Sequence, residues 1–313
     1  MEWLLGGLGL VILLLAGDAL VKGAVNLSLR LGIPALIVSL TIVAFGTSAP
    51  ELLISVKAML DGAPGLAMGN VVGSNTANIL LVLGVPALLT SMHTGACETR
   101  KTYLFMIGGS VLFILLCFLG PLIWWHGLIL LAVLAGILGN AFFEARAHRN
   151  GADNVEEELE GVDPDMSWSW IFIYLVLGLV GLPIGADLLV DSAVHIARVF
   201  GISETVIGLT LVAIGTSLPE LATSVMAALR KQADVVLGNV IGSNMFNLLA
   251  IMGVATMVGP IPVDPEFLSF DLWVMLAASL LLVPFVFFGK DIGRLVGIVF
   301  IALYGIYLSV LIM

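Results

Sequence analysis

Residues 40–55 read LTIVAFGTSAPELLIS, and residues 209–224 read LTLVAIGTSLPELATS. Residues 69–85, GNVVGSNTANILLVLGV, return at 238–254 as GNVIGSNMFNLLAIMGV. One offset of 169 aligns both pairs, with 11 of 16 and 10 of 17 positions identical. Each copy sets one acid beside a proline, Glu51 after Pro50 and Glu220 after Pro219, inside strongly apolar sequence. A carboxylate at the centre of a bilayer costs about 3 kcal/mol or more, so it marks function by default. Two such acids in duplicated frames point to one site built from two halves. A duplicated packing motif would explain the glycines and serines, which let helices approach closely. It gains nothing from a buried acid.

The chain of 313 residues is 60% hydrophobic and 11% charged, with a mean hydropathy of +1.15. These values describe an all-α polytopic membrane protein and exclude an ordinary soluble enzyme. A span needs about 20 apolar residues. Ten segments qualify, roughly 3–29, 34–59, 64–91, 103–119, 122–146, 168–199, 203–229, 233–259, 270–288 and 292–312, the fourth being marginal in length. The first is too long for a cleaved signal peptide and lacks the basic flank. The expected organisation is a first five-helix repeat at 1–147 (motif 40–85), an acidic linker at 148–167, and a second five-helix repeat at 168–313 (motif 209–254).

The formal net charge of −10 is dominated by the linker, where seven acids lie between Asp153 and Asp165. Such a run reads as a solvated connector. No basic patch invites nucleic acid, and Cys97 and Cys117 do not form a disulfide framework. Threading ten spans puts Arg30, Arg100, Lys101, Arg146, Arg149, Arg230, Lys231, Lys290 and Arg294 on one side, against Lys57 and Arg198 near the other. Cytoplasmic loops collect Lys and Arg. The linker is therefore expected in the cytoplasm and both termini outside. The six tryptophans lie near span ends, as an interfacial belt would place them.

An odd number of spans per repeat makes the second half enter the membrane from the opposite side, giving an inverted pair. Spans two and three then face seven and eight, and Glu51 meets Glu220 near the midplane. Pro50 and Pro219 lack an N–H, which frees the carbonyls of Gly46 and Gly215. Broken helices 2/3 and 7/8 are expected to line a cavity, where irregular backbone is tolerated at membrane depth. Freed carbonyls, the hydroxyls of Thr47, Ser48, Thr216 and Ser217, and the two carboxylates make an all-oxygen donor set. No histidine lies in a motif. Oxygen-only coordination suits hard cations such as Ca²⁺ or Na⁺. Ser74 with Asn78, and Ser243 with Asn247, share helix faces four residues apart and add neutral donors. Asn70, Asn75, Asn239 and Asn244 are balanced between ligand and interhelical hydrogen bond.

These motifs resemble the alpha repeats of the calcium/cation antiporter superfamily, and look most like its prokaryotic sodium/calcium exchangers. The resemblance spans nearly the whole chain. It implies exchange of Na⁺ for Ca²⁺ by alternating access, with the first and sixth helices sliding against the other eight. It implies Glu51 and Glu220 as calcium ligands, completed by the carbonyls of Thr47 and Thr216. Ser48, Ser217, Ser74 and Ser243, with the carbonyls of Ala44 and Ala213, would serve flanking sodium positions, and Asn78 and Asn247 the central one. Some relatives carry Asp at one or both of these last positions, and extra acids there go with potassium co-transport; this chain has Asn at both. It also lacks the repeat of the proton/calcium exchangers.

No cofactor is expected beyond the transported ions, and no protein partner is inferable. Because glutamates titrate, a Ca²⁺/H⁺ antiporter on the same scaffold is the alternative. A passive cation channel and an intramembrane protease dyad are further rivals, although such dyads normally pair aspartates. Asp18 and Asp187, aligned by the same offset, are expected to cap or bind neighbouring backbone, with ion relay as the other reading. Asp191 and Glu204 are placed toward a membrane edge as a vestibule ring.

Overall fold

The computed structural model describes residues 2–95, 99–149, 163, 165–201 and 213–312. Most of the linker 148–167, Cys97, Glu204, the opening of span seven and residues 209–212 of the second motif lie outside the described residues.

The described chain is helical. Helix α1 (Glu2–Leu31) stops where Gly32 takes φ 64°, a left-handed conformation that glycine adopts without strain. Helices α2 (Ala35–Thr47) and α3 (Ala49–Leu60) form one bent pair, turned by 42°. Then follow α4 (Pro64–Leu89), α5 (Arg100–Phe118), α6 (Trp124–Arg149) and α7 (Trp168–Val199). The short α8 (Ala213–Thr216) leads to α9 (Leu218–Leu229). The chain continues with α10 (Ala233–Val258), α11 (Phe267–Phe288) and α12 (Arg294–Ile312). Among the described residues, eight helices are long and apolar enough to cross a membrane, or nine with the bent pair counted as one span.

Burial separates these helices by role. The richest windows of α4 and α10 are 78% and 94% buried, whereas those of α7 and α12 are only 22% buried despite equal or greater hydropathy. A helix that is apolar all round yet largely uncovered is suited to lipid. The motif-bearing helices α4 and α10 therefore form the centre.

Two apolar clusters result. The larger joins α4, α5, α6, α10, α11 and α12 through residues such as Val72, Leu83, Phe113, Leu130, Ile241, Met275 and Phe300. The smaller is formed chiefly by α1 and α7, through Leu13, Ala16, Leu20, Ala24, Leu27, Ile171, Leu182 and Ala186. These two helices run antiparallel, with Gly9 beside Gly185 and Leu20 beside Gly178. A Cβ placed on Gly178 would lie 2.5 Å from the Leu20 Cβ. Small residues at such crossings let backbones approach, which drives association in lipid.

Loops of the two halves pair in a crossed pattern. Met92 and Ile292 exchange two backbone hydrogen bonds of 3.0 Å, and Leu122 and Ile261 exchange two of 2.9 and 2.8 Å. Positions 92 and 261 are related by the offset of 169, and 122 and 292 by one residue more. Basic side chains tie down the loop ends. Arg294 Nε donates to the Leu88 carbonyl (3.2 Å), Arg100 Nη2 to that of Phe287 (3.1 Å) and Lys101 Nζ to Asn140 Oδ1 (3.0 Å).

Gly178→Val forces α1 away from α7 and is expected to destabilise the protein by about 1–3 kcal/mol, the usual cost of overpacking. Gly136→Ala, where a Cβ meets nothing within 4 Å, is expected to be neutral. Thermal unfolding in detergent compares the two.

Candidate ion site

The bend between α2 and α3 is one residue wide. Ser48 has φ −84° and ψ 3°, its N–H still reaches the Ala44 carbonyl at 3.0 Å, and its carbonyl accepts from Leu52 N–H at 3.2 Å. Pro50 lies in the first turn of α3, where a missing N–H is harmless. Ser217 (φ −88°, ψ 5°) and Pro219 repeat the arrangement at α9. The expected unwound stretch is therefore a kink, because each proline restarts a helix instead of dissolving one. The helices of the second motifs carry no such break. Helices α4 and α10 continue through π-helical turns at Asn78–Val82 and Phe246–Ile251. Such turns insert an extra residue and recur at functional sites. Here they begin at or beside Asn78 and Asn247, a feature that the sequence pattern did not announce.

Both glutamates are fully inside, with Glu51 1% and Glu220 0% exposed. Ser48 Oγ donates to Glu220 Oε1 at 3.1 Å, joining the first motif to the second. Ser48 caps the helix whose first turn carries Glu51, so this contact sets Glu220 beside that turn and places both acids in one buried region. Thr47 Oγ1 donates to Asn239 Oδ1 at 3.3 Å and lies 3.5 Å from Ser243 Oγ. Thr47, Ser48, Ser74, Asn78, Thr216, Ser217, Ser243 and Asn247 are all buried, as is Ala44. Ala213 opens α8, directly before the second GTS segment.

Among the described residues, seven of the eleven buried side-chain atoms lacking a hydrogen-bond partner belong to this group. They are both carboxylate oxygens of Glu51, Oε2 of Glu220, Oδ1 of Asn78, Oγ of Ser217, and Oδ1 and Nδ2 of Asn247. Native interiors satisfy the great majority of their polar groups, so such a concentration calls for an explanation. Neither glutamate has an ion-pair partner among the described residues. No group of three or more His, Cys, Asp and Glu able to hold a metal occurs among them either. The protein charge at the site is therefore that of two acids surrounded by neutral oxygens.

The remaining asparagines are positioning groups. Asn70 Nδ2 donates to the Glu51 carbonyl (3.2 Å) and Ser55 Oγ (2.9 Å). Asn239 Nδ2 donates to the Glu220 carbonyl (3.2 Å) and Ser224 Oγ (3.1 Å). Asn75 Nδ2 reaches the Val71 carbonyl at 2.7 Å, and Asn244 Nδ2 the Asn75 carbonyl at 3.3 Å. Asn78 Nδ2 donates to Asn244 Oδ1 at 3.1 Å, leaving its own Oδ1 unpartnered. Sequence reasoning missed Ser55 and Ser224, although the offset of 169 relates them too.

Asp18 does not bind backbone as expected. Its Oδ1 accepts from Arg230 Nε at 2.6 Å, and its Oδ2 lies 3.3 Å from Lys22 Nζ. Asp187 and Asp191 line a cavity of about 160 Å³ with Pro50, Thr216 and Pro219.

A family profile described as "Sodium/calcium exchanger protein" matches residues 1–143 and 170–313. The putative antiporter CaxA of Alkalimonas amylolytica is 39% identical over 287 residues, covering 88% of this chain and 86% of the relative. The sodium/calcium exchanger MaX1 of Methanosarcina acetivorans is 35% identical, covering 97% of this chain and 96% of the relative. A solved structure of the sodium-calcium exchanger NCX_Mj, soaked with Na⁺ and Sr²⁺, superposes with a TM-score of 0.82 at 33% identity, over 98% of this chain and 97% of that one.

Asn239→Ala leaves the Glu220 carbonyl without that donor and Ser224 without its partner. The expected loss is about 1–3 kcal/mol of stability, the cost of an unsatisfied buried group. Thermal unfolding against the unchanged protein checks it.

Proposed function

The chain belongs to the sodium/calcium exchanger protein family, and from that we propose that it is a secondary antiporter exchanging Na⁺ for Ca²⁺ across a membrane by alternating access. Its architecture on this reading is ten transmembrane helices in two inverted five-helix repeats, with the ions held near the midplane. The crossed bridges, Met92 with Ile292 and Leu122 with Ile261, support a two-fold relation between halves. The separate apolar cluster of α1 and α7 supports a mobile pair sliding on a fixed bundle. The Lys and Arg bias supports a prokaryotic inner-membrane protein with both termini outside and the linker cytoplasmic.

The observation that carries the proposal is the set of seven unpartnered buried atoms around two uncompensated carboxyl groups. A cation satisfies them. Two adjacent carboxylates in a dry site repel strongly, and one Ca²⁺ cancels both charges. Glu51 and Glu220, with the Thr47 and Thr216 carbonyls, are assigned to Ca²⁺. Ser48, Ser74, Ser217 and Ser243, with the Ala44 and Ala213 carbonyls, are assigned to Na⁺, and Asn78 and Asn247 to the centre. Sodium ions use the neutral oxygens because their charge is spread over more sites. An empty site keeps its repulsion while crossing a dry barrier, so the exit of one ion is coupled to the return of the other.

The reconstituted protein, given an outward-directed Na⁺ gradient, is expected to drive Ca²⁺ into vesicles against its own gradient; a pH gradient alone is expected to fail. The reverse result selects the Ca²⁺/H⁺ antiporter, and flux that never exceeds equilibrium selects a channel. Glu51→Gln and Glu220→Gln are each expected to reduce apparent Ca²⁺ affinity by about tenfold or more, equivalent to about 1.4 kcal/mol. Undiminished flux in either variant removes the site assignment.

A further inference from the structure

The two-fold pattern of this molecule is broken by charge around Asp18 and Asp187. Asp18 on α1 and Asp187 on α7 are related by the offset of 169, and so are Asp61 and Arg230. Arg230, just beyond the end of α9, binds Asp18 through Nε (2.6 Å) and Nη2 (2.5 Å), both groups being half-buried. The equivalent contact in the other half would pair Asp187 with Asp61, two like charges. Asp61 instead takes Lys57 of its own helix at 2.9 Å. Asp187 has no ion-pair partner among the described residues and lies exposed on the cavity beside Pro50, Thr216 and Pro219.

The two aspartates sit at different levels of the α1–α7 pair, Asp18 near the middle of α1 and Asp187 at a level closer to the α1 N-terminus. Leu20 packs at Gly178, near the Asp18 level, whereas Leu13 packs at Gly185, near the Asp187 level. At the Asp18 level the pair is thus fastened to the bundle by an ion pair. At the Asp187 level it borders a cavity next to the motif prolines. Asp18 lies on α1, which with α7 forms most of the smaller cluster, and Arg230 follows α9, whose Ala227 and Ala228 lie in the larger one while Ala222 lies in the smaller. A displacement of one body past the other by a helical turn, about 5 Å, separates them. The repeat supplies no opposite charge for Asp187 in return, because the position related to Arg230 is Asp61.

We propose that the Asp18–Arg230 ion pair is a one-sided latch, closing the Arg230 end and biasing the exchanger toward the state open at the Asp187 end. This rests on the antiporter reading, because only alternating access gives a latch two states to choose between. A contact present in one state alone shifts the population by its differential energy. The apparent affinity for an ion offered from a given side scales with the fraction of molecules open to that side.

The test has two arms. In oriented proteoliposomes, Arg230→Gln is expected to weaken apparent Ca²⁺ affinity from the Asp187 side and strengthen it from the Arg230 side, changing their ratio by about tenfold. The charge swap Asp18→Arg/Arg230→Asp, made with Lys22→Gln because Lys22 lies 3.3 Å from the Asp18 carboxylate, is expected to restore the ratio. A loss of packing would change both sides together and would not be rescued, and that result overturns the latch. The second arm measures labelling of Val190→Cys, in the cavity wall, by a water-soluble thiol reagent, with Cys97 and Cys117 replaced by Ala. Labelling is expected to slow several-fold when Arg230→Gln is added and to recover in the charge swap; an unchanged rate overturns the proposal. This arm needs no transport. Slowed labelling in a protein that moves no calcium would keep the latch and remove the sodium/calcium reading. Normal exchange with unaltered labelling would do the opposite. Arg230→Lys, which retains the charge, serves if Arg230→Gln does not fold, and is expected to shift both readouts in the same direction by less; no shift in either overturns the latch.

Discussion

Two carboxyl groups, Glu51 and Glu220, are buried in one site, and among the described residues neither has an ion-pair partner. Everything else at the centre is arranged around that unfavourable pairing. Moving an unpaired charge out of water costs far more than a typical contact returns. Such a site persists only if a cation or proton completes it. The surrounding serines, threonines and asparagines contribute oxygen without adding charge, so the balance between empty and filled states stays with the two acids. The fixed part of the molecule then has one main duty, to hold these two side chains in register.

That duty falls to hydrogen bonds made within the scaffold. Asn70 and Asn239 each fasten a glutamate backbone carbonyl and a serine one turn further along α3 or α9. Asn244 links Asn78 to the backbone of α4. The division of labour among eight asparagines and serines in the second motifs is thus sharp. Some point their donors into the scaffold, and Asn78 and Asn247 retain free capacity. Tight burial of α4 and α10 makes the division possible, because a side chain there cannot turn to water for a substitute.

Much of this was legible in the residues alone. The repeat offset, the apolar segments and the acid–proline pair pointed to an all-helical chain with long apolar helices, and singled out the two acids that the structure buries. Three matters were not. The widened turns at Asn78 and Phe246 depend on how α4 and α10 pack, and a one-residue change in helical register leaves no compositional mark. Whether Asn70 binds an ion or a carbonyl depends on a side-chain direction set by the bend at Ser48. The partner of Asp18 lies 212 residues away in the chain, and periodicity carries no information about such distant pairs. The unwinding expected at Pro50 failed for a local reason, since a proline in a first turn initiates a helix as readily as it ends one.

The crossed bridges carry an evolutionary implication. Position 92 of the first half meets 292 of the second, while 261 of the second meets 122 of the first. Reciprocal contact of this kind is the mark of an isologous interface, in which one surface patch pairs with its own copy. With the halves inverted as proposed, a half-length forerunner bearing one motif would have needed a second molecule, inserted upside down, to close the same contacts. Such a polypeptide must enter the bilayer in both directions, so its loops could carry no strong preference for either side. Fusion into one chain removed that restriction. Each half was then free to acquire its own charges, and a lone arginine at position 230, where its sister position 61 holds an aspartate, became permissible.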